Sequence, residues 1–105
     1  MSLPELKIIE RIGDLRGSRY DFLKAGDEIP LHVHPTDAEN HVTIVARGRI
    51  RVYNRHRSDE FDAPAMIAHK VGTPHAIMAL TDGACIFNIR TKMGADPYLP
   101  DTEPT

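Results

Sequence analysis

The chain is poor in several residue types that would have made its role easy to read. It has a single cysteine, Cys85, in 105 residues, which excludes a disulfide framework and a zinc cluster built on thiolates. Acidic and basic residues nearly balance, 15 against 13, for a net charge of −2; the basic face that nucleic acid requires is missing. No apolar run approaches about 18 residues, so a membrane-spanning helix is excluded. There is no glycine-rich phosphate loop, no serine nucleophile elbow and no paired-carboxylate arrangement. Internal repeats are absent too. Met1-Ser2-Leu3 followed by Pro4 and Glu5 carries no signal-peptide pattern, and with the lone thiol this sets a cytoplasmic expectation. The length is that of one domain, 1–105, which buries roughly two-thirds of its unfolded surface and can build one core without staples. Tryptophan is absent and there are only three tyrosines and three phenylalanines, yet there are six histidines. All six lie in the span from His32 to His75.

Seven glycines and eight prolines divide the chain into short pieces, a spacing that suits strands better than helices. Strands are predicted at 19–24, 29–34, 41–46, 49–54, 64–68, 75–80 and 84–92. Ile50 and Val52 alternate with Arg49 and Arg51, as a half-buried strand requires; the arginines, with Arg47, are expected on a solvated outer face. The N-terminus reads two ways. Ser2-x-x-Glu5 with Pro4 resembles a helix start, while Lys7 to Ile12 reads as an edge strand, and the run of strands that follows favours the strand. The segment 94–105 is turn-rich and expected to be loose, leaving a barrel core of about 18–92. Seven or eight short strands in so short a chain imply an all-β sandwich or small barrel.

The histidines carry the chemistry. His32-Val33-His34 places two imidazoles on one face of a strand, where both can reach one metal ion. Such a pair is common, occurring by chance in about one comparable chain in three. Its context adds weight. A polar loop, 35–40, leads to an apolar strand opening on His41; antiparallel return would place His41 beside the first pair. Thr43 and Val45 share its inward parity, so the site would lie in a partly apolar cavity. Gly72-Thr73-Pro74 then delivers His75 at the head of a buried strand. His56 sits in a polar hairpin loop and is read as surface. His69 is left outside the ligand set, and Cys85 is read as a small core residue.

Gly26-(x5)-His32-x-His34-loop-His41-(x6)-Gly48 resembles the first motif of the cupin superfamily, G(X)5HXH(X)3-4E(X)6G. Lys70-x-Gly72-x-x-His75 is similar to the second, G(X)5PXG(X)2H(X)3N. The resemblance spans about residues 18–92. It implies a small double-stranded β-helix, or jelly-roll, barrel with metal ligands on its inner wall, as in small single-domain cupins. The motif glutamate falls on His41, with Glu39 as the alternative ligand; the proline of the second motif falls on Lys70 and its asparagine on Ala79. The implied ligand set is His32, His34, His41 and His75.

Four imidazoles without a thiolate suit iron, manganese, nickel or zinc and do not choose among them. A closed zinc tetrahedron would be structural, whereas an octahedral ion would keep two positions open. Neutral ligands leave the ion its full double charge, which favours an enolate or a carboxylate as ligand. The expectation is a metal-dependent oxidoreductase of the dioxygenase kind acting on a small enolisable or acidic compound, its pocket lined by Thr43, Val45, Ile77 and Ala79 with Tyr20 or Phe22. An isomerase, epimerase or lyase, and a non-enzymatic ligand-binding module, are the alternatives. Pairing into a homodimer is expected from the resemblance, with the first strand or Tyr98-Leu99 at the seam.

Overall fold

The computed structural model describes residues 2–13, 15–32, 38–69 and 74–92; within its strands, the side chains of residues 8–12, 32, 38–40, 91 and 92 lie outside that description. The described residues form nine strands and no helix: β1 (Glu5–Ile12), β2 (Leu15–Asp21), β3 (Glu28–His32), β4 (Ala38–Arg47), β5 (Arg49–Tyr53), β6 (Ser58–Asp62), β7 (Ala65–His69), β8 (His75–Ala79) and β9 (Cys85–Lys92). They assemble into two antiparallel sheets. One has five strands in the order β1-β2-β9-β4-β7, the other four in the order β3-β8-β5-β6.

Alternation decides what goes inside. In β5, Ile50 is fully buried while Arg49 is exposed, as the sequence pattern predicts. On the outer face Arg49 pairs with Glu60 at 2.8 Å and Asp62 at 2.8 Å, and Arg51 with Glu60 at 3.1 Å. The inner faces meet in a core of Phe22, Val45, Ile50, Ile77, Ala79, Ala84 and Ile86. Tyr20 packs against its edge. Phe22, Val45, Ile77 and Ala79, expected to line a pocket, are all 1% exposed or less and form packed core.

Two of the three framing glycines are needed for their backbone. Gly48 joins β4 to β5 with φ +82°, and a Cβ there would stand 2.6 Å from Thr81 Oγ1 and 3.0 Å from Ala84 Cα. Gly26, at φ +95°, donates its amide to Ala79 O at 2.8 Å and stitches the turn before β3 to β8. Gly72, Lys70 and the segment 94–105 with Tyr98-Leu99 lie outside the described residues.

The open choice at the N-terminus is decided for the favoured strand, and three local expectations change. The N-terminus is strand β1, on the edge of the larger sheet, and Ser2 does not cap a helix. Its amide donates to Asp27 Oδ1 at 3.2 Å and its carbonyl accepts from Glu28 N at 2.9 Å. Strand β6 was not expected, because four of its five residues are polar (Ser58-Asp-Glu-Phe-Asp62). It is an edge strand in which only Phe61 packs against the core, so alternation has almost nothing to register. Strand β4 starts at Ala38 rather than His41, since β9 pairs along it from Ala38↔Lys92. Finally, β3 and β4 are not partners. β3 pairs with β8, and β4 lies between β7 and β9 in the other sheet.

Candidate metal centre

Three histidines converge from the two sheets. His41 on β4 stands directly opposite His69 on β7, and His75 heads β8 in the facing sheet, opposite His32 in register. His41 and His75 are 6% and 5% exposed; His69 is half-buried. Ring centroids are 4.6 Å apart for His41–His69, 5.6 Å for His41–His75 and 4.4 Å for His69–His75, the last pair stacked at 18°. One ring nitrogen from each lies within 4.8 Å of the other two.

The five-stranded sheet surrounds this cluster with a graded inner face, read from its register. The row nearest the imidazoles is Arg16–Arg90–His41–His69 across β2, β9, β4 and β7. The next is Ser18–Asn88–Thr43–Ile67, and the third is Tyr20–Ile86–Val45–Ala65. Chemistry therefore changes every two residues along each strand, as the pleat demands: guanidinium and imidazole, then hydroxyl and amide, then an apolar floor. Thr43 is fully buried. Its Oγ1 lies 2.7 Å from His69 Nε2 and donates to Asn88 Oδ1 at 2.6 Å.

Comparisons with known proteins agree with this architecture. Neither a protein-family model nor a curated sequence matches the chain, but solved structures do. An RmlC-like cupin protein from Desulfovibrio desulfuricans superposes with a TM-score of 0.75 at 19% identity, over 85% of this chain and 82% of that one. A Klebsiella pneumoniae protein with a double-stranded β-helix domain gives 0.76 at 17% identity, over 89% and 80%. KdgF from Halomonas sp. gives 0.74 at 17% identity, over 85% and 80%. The chain has the cupin fold. At these identities the likeness establishes the barrel and leaves its chemistry to the site.

Of the four imidazoles expected in the cupin site, the structure brings together His41 and His75. His34 lies outside the described residues, and the side chains of His32 and Glu39 lie outside the description of their strands. His69, set aside in the sequence reading, joins the cluster instead. Its signal was one residue away: Ala65, Ile67 and His69 share a parity in β7, but the predicted strand ended at 68. His56 is exposed, its amide bonded to Asn54 Oδ1 at 2.8 Å in the β5–β6 turn, as expected for a surface loop.

The donor set fits a metal ion. Nitrogens bound to one ion at about 2.0–2.1 Å lie roughly 3–4 Å apart, so nitrogens within 4.8 Å of one another need only small side-chain adjustments. Imidazole is a ligand for each of the transition metals considered. Cys85 is no part of this centre. It lies on the other face of β9, opposite Asp21 of β2, and is buried. Burial, and then its hydrogen bond to the Asp21 carboxylate, push its thiol above the ordinary range, which keeps it protonated and unreactive.

Proposed function

We propose that this cupin is a metal-dependent oxidoreductase of the dioxygenase kind, acting on a small enolisable or acidic compound. The observation that carries the reading is the convergence of His41, His69 and His75 beside an arginine row on the inner face of the larger sheet. A bound divalent iron, manganese, nickel or zinc ion would supply a Lewis acid for a pair of substrate oxygens and, for a redox-active ion, a place for dioxygen. The protein's part is to hold three neutral donors in a buried setting and to shape what approaches them. Arg90 and Arg16, next to His41 in the same row, bring two fixed positive charges to that face and favour an anionic group on the substrate. The same reading has the chain acting in the cytoplasm as a homodimer. Its seam is the outer face of the larger sheet, where Val42, Ile44, Phe87 and Ile89 are half-buried and Met66 is 74% exposed.

The test is oxygen uptake by protein loaded in turn with iron, manganese, nickel and zinc, against a panel of β-diketones, flavonols and β-keto acids. Oxygen-dependent turnover that disappears in His41→Ala is the expected result. Turnover that persists under nitrogen would replace this reading with an isomerase, epimerase or lyase. Thermal stabilisation by a panel member with no turnover in any loaded form would leave a ligand-binding module.

A further inference from the structure

Thr43 stands between His69 and Asn88 and is fully buried. Its Oγ1 is 2.7 Å from His69 Nε2 and 2.6 Å from Asn88 Oδ1. A threonine hydroxyl has one proton to donate and two lone pairs to accept with. The amide oxygen of Asn88 can only accept, so the single proton of Thr43 is directed there. Toward His69 the hydroxyl then offers a lone pair alone, and a contact of 2.7 Å requires the proton to be on Nε2. A neutral imidazole with its proton on Nε2 carries its free lone pair on Nδ1.

We propose that Thr43 and Asn88 are positioning residues that lock His69 in the Nε2–H form and make Nδ1 the atom it presents to a metal. The inference rests on reading the three-histidine cluster as a metal centre. Three features of the fold support it. Asn88 and Thr43 are register partners on β9 and β4, so their contact is set by the sheet rather than by a flexible loop. Thr43 is two residues from His41 on the same inward face, and its partner Ile67 stands two before His69. Thr43 is also β-branched and stiff at χ1, which aims its hydroxyl. Groups that bond the far nitrogen of a ligating histidine fix its tautomer and orientation, and their loss typically weakens metal binding 10- to 100-fold.

The experiment has two arms. Long-range proton–nitrogen NMR of the metal-free, nitrogen-15-labelled protein at about pH 8 reads the His69 tautomer directly. A protonated Nε2 and a bare Nδ1 are expected; the reverse would mean that Asn88 turns its NH2 toward Thr43, and overturns the proposal. In the second arm, Co2+ or Zn2+ binding is measured by calorimetry in the wild type, Thr43→Val, Thr43→Ser and His41→Ala, each first shown to be folded by its amide spectrum. Thr43→Val should weaken binding 10- to 100-fold and Thr43→Ser should restore most of it. Wild-type affinity in Thr43→Val overturns the positioning role while leaving the metal centre intact. No uptake by the wild type would instead overturn the metal reading, and the NMR arm still decides the tautomer.

Discussion

Lowering the pH should weaken metal binding with a steepness that counts the imidazoles in the centre. A histidine binds metal only through a neutral ring, so each ligand must first lose its proton. On the acid side, where the rings are protonated, each ligand must release one proton, and the three that converge here, His41, His69 and His75, release three. Affinity should there fall about 1000-fold per pH unit, roughly 4 kcal/mol. The four-histidine set His32, His34, His41 and His75 would give about 10,000-fold per unit on the same argument. Calorimetric titration with Zn2+ or Co2+ in non-chelating buffers between pH 5.5 and 7.5 supplies the slope. A limiting slope near three matches the described trio, and a steeper one brings in His32 or His34. A loss of tenfold or less per pH unit would show that at most one imidazole holds the ion, which would refute the centre.

Gly48→Ala should destabilise the barrel by about 2–4 kcal/mol, combining a left-handed backbone that a Cβ disfavours with overpacking against Thr81 and Ala84; urea unfolding measures it, and a change below 0.5 kcal/mol, the size of an ordinary surface substitution, would contradict the turn geometry. Asp21 offers a pH test of stability. Partial burial acts to raise its carboxyl, but hydrogen bonds from Arg19, at 2.9 Å, and from Cys85 outweigh it and hold the group below its ordinary value. A carboxyl lowered on folding stabilises above its unfolded pKa and loses that effect as the pH falls through the folded one. Asp21→Asn should accordingly flatten the acid-side decline of the urea midpoint, and an unchanged decline would count against this account. Met66→Glu, on the outer face beside Ile44, should convert a dimer to a monomer in size-exclusion chromatography with light scattering, with no change in the folded amide spectrum.

Much of the fold was legible because strands write their two faces into alternate positions. Arg49, Ile50, Arg51 and Val52 alternate between solvent and core sides as their types require. Gly26 and Gly48 mark real turns with positive φ. Strand β6 was illegible for the same reason, since only Phe61 marks its inner face. His41 and His75 were readable as inward residues from the apolar runs that follow them. His69 was not, because its role depends on β7 lying beside β4, and nothing local to Ala65–His69 names its neighbour.

Composition, spacing and parity thus specify an all-β chain with an excess of histidine on inward faces, since side-chain direction along a strand is a local property with a period of two. Pairing is a different kind of information. The short polar loop between them points to β3 and β4 as neighbours, whereas the folded chain sends them to opposite sheets and sets His41 against His69 and His32 against His75. Which strand lies next to which is settled by how two sheets close over one core of Phe22, Val45, Ile50, Ile77 and Ile86, a balance of long-range packing that no short window contains. The three-histidine cluster, the arginine row beside it and the Thr43–Asn88 support of His69 all arise from that closure.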